Sequence, residues 1–224
     1  MARMKGFYMM LGVMAIVGGG VLAFMAMSGG SPLPSGPIDP AAIDAARSFG
    51  GYTIGNADAP VEIVEYADFE CPACRETWAL TMIDVKERLV RDGLVRLTFR
   101  DFPLQIHAHA RAAHHAAACA NEQGAFWAMH DKLFLEQRDW ASASGSAEGK
   151  FRNYAEAIVG DIAAYDACMG EGRYRAQIQA SFEGGVRLGV NATPSFVIGN
   201  RVYPPMSYDD MKAIVDSLAM EQGQ

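Results

Sequence analysis

Two cysteines three positions apart, Cys71 and Cys74, stand between an apolar run from Val61 to Tyr66 and a segment of helical periodicity. That arrangement restricts the chain to folds in which a strand feeds a helix whose first turn carries both thiols. At a helix N-terminus the unpaired backbone N–H groups and the positive end of the macrodipole favour a thiolate, so Cys71 reads as the nucleophile. Cys74, one turn deeper, is placed to displace a partner from a mixed disulfide. Arg75 follows the pair where haem attachment needs His. Structural zinc usually needs a second ligand pair, whereas Cys119 and Cys168 stand singly and far apart. An inert structural disulfide is the remaining bland alternative.

The pattern around the pair predicts a βαβ unit. Val61 to Tyr66 reads as a mostly buried strand, with Glu62 and Glu65 on opposite faces. Trp78, Met82, Val85 and Leu89 then share one helical face, Gly93 ends the helix, and Leu94 to Phe99 forms a second strand that should run parallel to the first. Phe102-Pro103 breaks the pattern. Helical periodicity follows over 108–122, 125–136, 150–158, 162–169 and 174–182. Strand character returns in Ser195 to Ile198 and Arg201 to Tyr203 around the turn signal Gly199-Asn200. Ser207, with Asp210 three residues on, caps a last helix with Met211, Ile214, Val215 and Leu218 on one face. The fold class is therefore α/β, a sheet interrupted by a helical insert.

The N-terminus carries Arg3 and Lys5 before 22 uncharged residues, Gly6 to Met27, long enough to cross a bilayer with the basic side cytoplasmic. An uncleaved anchor is the reading that this length favours; a signal peptide cut near Ala26-Met27-Ser28 is the alternative. Ser28 to Pro40, rich in Gly, Ser and Pro, reads as a tether spanning roughly 20 Å. A formal net charge of −7 argues against a nucleic-acid partner. His107, His109, His114, His115 and His130 show no i, i+4 pairing with one another, so they are expected to line the insert's solvent face or cap helices, and no metal is assigned. Phe126, Trp127, Phe134 and Trp140 read as core of the insert.

Glu65 to Cys74 (EYADFECPAC), Ala118 to Trp127 and Gly189 to Phe196 together resemble the DsbA-like family of thioredoxin-fold thiol-disulfide oxidoreductases, over about Ile54 to Leu218. The resemblance implies a thioredoxin fold with a central mixed sheet, its halves at 48–103 and 183–224 around a helical subdomain at 104–182, preceded by the membrane or signal segment 1–27 and the tether 28–47. It implies a cis Pro194, with Thr193 offering backbone groups to a substrate strand, and a carboxylate beneath the cysteines at Glu65. A solvated strand glutamate is the alternative for Glu65. Some relatives carry a second disulfide in the insert. Cys119 and Cys168 would supply it, worth about 4 kcal/mol by loop entropy, although the alanine-rich run around Cys119 suits a buried free thiol equally.

The activity implied is disulfide exchange with other exported proteins, most naturally donation through Cys71, with reductase, isomerase or a redox-sensing binding module as alternatives. No cofactor is implied beyond the Cys71–Cys74 disulfide itself. A membrane redox partner would reset the pair. The location implied is the periplasmic side of a bacterial envelope, either tethered by residues 6–27 or released after cleavage. No dimerisation stalk is visible between Pro40 and Tyr52, so the expected state is a monomer.

Overall fold

The central strand of the sheet is the run that precedes the cysteines. In the computed structural model, which describes residues 48–199 and 201–222, β2 (Val61–Ala67) lies between β3 (Val95–Asp101) and β4 (Ser195–Ile198). β1 (Tyr52–Ile54) and β5 (Arg201–Tyr203) form the edges, giving the order β1-β3-β2-β4-β5. β2 and β3 are parallel, with Val61 opposite Val95 and Ala67 opposite Asp101; the other pairings are antiparallel. Both faces of β2 are covered: Val61, Ile63, Glu65 and Ala67 are buried on one side and Tyr66 on the other. A central strand is covered over most of its length, which is why it reads as a nearly continuous apolar run apart from its exposed Glu62.

Helix α1 (Pro72–Thr77) starts at the cysteines and continues through two π-helical segments, Trp78–Met82 and Val85–Val90, instead of the single regular helix expected. Met82, Val85 and Leu89 still reach the core, because the π turns keep the apolar face toward the sheet. Gly93, at φ +76°, ends the segment; its N–H reaches the Val90 carbonyl and the Leu94 N–H reaches that of Leu89, the two bonds of a Schellman cap.

Between β3 and β4 run α2 (Ala110–Asn121), α3 (Phe126–Leu135), α4 (Gln137–Ala141), α5 (Glu148–Glu156), α6 (Ile162–Glu171) and α7 (Arg175–Arg187). α2 is buried along nearly its whole length, and its alanines let α3, α5, α6 and α7 pack around it. α7 runs five residues beyond its expected end despite Gly184 and Gly185. A Cβ at Gly185 would meet the rings of Phe102 at 2.8 Å and Tyr66 at 2.9 Å, so this glycine lets the helix lie against the sheet. α8 (Tyr208–Gln222) opens with the expected cap: the Ser207 hydroxyl accepts the Asp210 N–H at 3.2 Å and donates to the Asp210 carboxylate at 2.7 Å.

One core joins Phe69, Cys71, Cys74 and Phe99 to Phe126, Phe134, Trp140 and Phe151 of the insertion. A second, of Val61, Ile63, Met82, Leu89, Phe196, Met211 and Val215, fills the side of α1 and α8, and Trp127 touches both. β1 has no counterpart among the expected strands, since three residues are too few to show periodicity. Its Tyr52 is anchored from outside the strand, stacked on Phe126 with ring centroids 3.7 Å apart and receiving a hydrogen bond from Gln177 at 2.9 Å.

The histidines depart from expectation. His114, His115 and His130 are fully buried instead of lining a solvent face: Asp101 lies 2.7 Å from His114 Nδ1, the Cys168 carbonyl 3.3 Å from His115 Nε2, and Asp131 2.8 Å from His130 Nδ1. These partners come from other segments or from a neighbouring residue, which lets polar rings occupy an otherwise apolar core. The anchor and the tether expected over residues 1–47, and the turn residue Asn200, lie outside the described residues. Among the described residues no helix is long and apolar enough to cross a membrane.

Cys119 of α2 and Cys168 of α6 are joined as a disulfide, both fully buried, with Cα atoms 5.8 Å apart and a sequence separation of 49. Closing that loop should stabilise the fold by about 4 kcal/mol. The double variant Cys119→Ser/Cys168→Ser is expected to lose stability of that order in urea unfolding; a loss under about 1 kcal/mol would contradict the loop-closure account.

Candidate active site

The turn between β2 and α1 is built by Asp68. Its carbonyl accepts the Cys71 N–H at 3.1 Å, while its buried carboxylate accepts the N–H groups of Glu70 and Leu104, each at 2.8 Å, and the His107 ring at 2.7 Å. The Asp68 N–H in turn points to Cys74 Sγ at 3.4 Å. One residue therefore shapes the loop before the nucleophile, ties it to the segment entering the insertion, and supplies a donor to the second sulfur.

Gln137 of α4 holds the loop from the other side. Its amide nitrogen donates to the carbonyls of Phe69 at 2.7 Å and Cys71 at 2.9 Å, with the side chain buried. Glu70 adds a third tie, accepting the His109 N–H at 2.6 Å. Nothing in the sequence marked Gln137, because its partners are backbone atoms almost seventy residues earlier. Asp68 lies inside the motif that carries the family resemblance, and that is the only signal by which it could have been found.

The two thiols are reduced and sit in unlike surroundings. Cys71 keeps 7% of its surface exposed and Cys74 none. The Cys71 thiol is lowered to about 5, first by the hydrogen bond from Cys74; burial opposes this, and the Thr193 side chain and the N–H groups of Cys74 and Ala73 add to it. The helix terminus thus contributes, but the neighbouring thiol contributes more. Cys74 moves well above its ordinary value because it is buried and because the charge of Cys71 lies beside it.

The loop before β4 closes the site. The Thr193–Pro194 peptide is cis, and the Thr193 carbonyl lies 3.5 Å from Cys71 Sγ. Cys71, Cys74, Thr193 and Pro194 are thus brought together at one end of two neighbouring antiparallel strands, β2 and β4. Glu65 is buried in the strand beneath, and burial raises its carboxyl to about 7, partly offset by Lys86. No hydrogen bond joins Glu65 to either sulfur among the described residues, and its Oε1 is unpartnered. Glu62, the other strand glutamate, is exposed and paired with Arg96 at 3.1 Å.

Fold and site together define a thioredoxin-fold protein with a reactive dithiol at a strand-to-helix junction. The family model described as thioredoxin matches residues 48–217. The chain belongs to this family, as a DsbA-like member. It is 28% identical over 168 residues to the probable disulfide bond formation protein D of Bacillus anthracis, covering 73% of this chain and 76% of that one. The structure of Chlamydia trachomatis DsbA superposes with a TM-score of 0.69 at 18% identity, over 85% of this chain and 100% of that one, a likeness of fold. The chain is also 34% identical over 165 residues to the sodium/proton antiporter NhaA 3 of Salinispora tropica; the match takes in 73% of this chain but spans only about a quarter (24%) of that relative's length.

The depressed thiol fixes a pH dependence. A group whose folded pKa lies below its unfolded one stabilises the fold fully above the unfolded value and loses that contribution as pH falls through the folded one. Reduced Cys71 should therefore favour the folded dithiol most near pH 9, with the benefit gone below about 5. Iodoacetamide alkylation of reduced protein is expected to modify Cys71 alone, with a rate that halves near pH 5. A midpoint above 8 would contradict the site's electrostatics.

Proposed function

We propose that this chain is a thiol-disulfide oxidoreductase that donates its Cys71–Cys74 disulfide to cysteine-containing exported proteins. The observation that carries this is the inequality of the two sulfurs: one ionised at neutral pH, the other fully buried and protonated. A substrate thiolate attacks Cys71 Sγ, the S–S bond breaks, and Cys74 leaves as a thiolate that must take up a proton. The resulting mixed disulfide is opened by a second substrate thiolate, which leaves Cys71 as a thiolate and the substrate oxidised. Because Cys71 is a good leaving group and its thiolate is stabilised, equilibrium favours the reduced protein and an oxidised substrate.

In this reading Thr193 and Pro194 receive the substrate strand, with the Thr193 carbonyl as acceptor beside the nucleophile. Glu65, near 7, supplies and takes back the proton of Cys74 through an intervening water. The protein works as a monomer on the periplasmic side of a bacterial envelope, and a membrane redox partner re-oxidises the pair. Export and tethering rest on the sequence of residues 1–47. The likeness to a disulfide bond formation protein supports the direction assigned.

Equilibration with glutathione tests the direction. The pair is expected to be more oxidising than glutathione, increasingly so as pH rises from about 5 to about 9, where reduction releases the Cys71 proton. A pair reduced only by an excess of strong dithiol would reverse the assignment to reductase. Cys71→Ser should abolish turnover, whereas a redox-sensing binding module would keep its binding activity.

Glu65 gives a second check. Its folded pKa is raised, so between about 4.5 and 7 the folded state keeps a proton that the unfolded state has shed, and stability falls as pH rises through that window. In the oxidised protein Glu65→Gln should remove up to about 3 kcal/mol of that fall, measured by urea unfolding at pH 5 and pH 8. An unchanged difference between the two pH values would place Glu65 in solvent.

A further inference from the structure

Away from the Cys71–Cys74 pair, three donor side chains meet inside the helical insertion. His115 and Cys119 stand four residues apart on α2, the spacing that puts two side chains on one face, and α6 brings Cys168 against them. A ring nitrogen of His115 and the two sulfurs lie within 4.8 Å of one another, all three residues buried.

The orientation of His115 is informative. Its Nε2 lies 3.3 Å from the Cys168 carbonyl, which can only accept, so Nε2 carries the proton. Nδ1 is then left with its lone pair, and it is buried with no hydrogen-bond partner. A buried nitrogen left so is unfavourable. A neutral imidazole whose N–H is held by a backbone carbonyl and whose other nitrogen is free has the form of a metal-ligating histidine with its outer-sphere partner in place.

We propose that, when the Cys119–Cys168 disulfide is reduced, His115 Nδ1 and the two cysteine thiolates form a zinc site. The disulfide takes two electrons and two protons from an external dithiol, which is itself oxidised to a disulfide. Zn²⁺ then displaces the two thiol protons, giving a neutral Cys₂His set whose fourth position is left to a non-protein ligand. Two thiolates at about 2.3 Å and one imidazole at about 2.0 Å from zinc put the donors a little under about 4 Å apart, so the bonded sulfurs must separate and the ring nitrogen must close on them. Metal and disulfide exclude each other, because the bonded sulfurs have no thiolate to offer. Zinc in this site therefore opposes closure of the insertion's disulfide. The proposal is independent of exchange at Cys71.

The test uses the full chain carrying Cys71→Ser and Cys74→Ser, so that only the second pair can bind. It is unfolded, reduced with a phosphine without oxygen, and refolded with and without Zn²⁺. The expected result is one zinc retained per chain after desalting in the reduced form and none in the disulfide form, and with Co²⁺ the visible d–d and sulfur-to-cobalt bands of a tetrahedral thiolate site. His115→Phe, which fills the space without a donor, should weaken binding by at least about 100-fold, and Cys168→Ser should remove the cobalt–sulfur band. Refolding of the reduced chain without zinc uptake, equal zinc affinity in His115→Phe, or recovery of the fold only on oxidation even with zinc present would each overturn the proposal.

Discussion

A hydrogen bond between two thiols one helical turn apart cannot be shared evenly when one sulfur faces amide donors at a helix start and the other is fully enclosed. Charge collects on the outer sulfur, Cys71, and the proton stays on the inner one, Cys74. Holding that inequality requires a loop that cannot relax. Asp68 fixes it from within the turn, Gln137 from the insertion, and the Thr193 carbonyl faces it from the loop before the neighbouring strand β4. Each is a buried polar contact, and such contacts are expensive to leave unmade, so the site stays in one geometry.

The insertion thus does more than cover the sheet. Its aromatic residues merge with Phe69 and Phe99 into the core that contains both cysteines, while Gln137, His107 and His109 reach the loop in front of them. The Cys119–Cys168 bond crosses the same body and joins α2 to α6, one of the helices packed around it. The chain therefore holds two cysteine pairs with opposite surroundings. One lies just under the surface at a helix start beside amide donors, and the other is sealed among alanines with a single histidine for company.

Legibility followed the range of the forces involved. The βαβ unit, the Gly93 stop and the Ser207 cap could be read because each depends on residues within a few positions of one another. α7 ran past its expected end because Gly185 is explained only by the rings of Tyr66 and Phe102 across the sheet. The histidines were misplaced for the same reason. Their local pattern is polar, and only Asp101, Asp131 and the Cys168 carbonyl make burial tolerable.

From the order of residues alone followed the fold class and the choice of Cys71 as candidate nucleophile, because strand period, helix start and a Cys-Pro-Ala-Cys turn are local properties of a chain, whereas the loop of Thr193 and Pro194 was expected only from the family resemblance. The unlike acidities of the two sulfurs, the clamp by Asp68 and Gln137, the burial of Glu65 and the meeting of His115 with Cys119 and Cys168 belong to the folded molecule. They depend on desolvation and on donors that lie tens of residues away in sequence, and neither exists until the helices and the sheet have closed around the site.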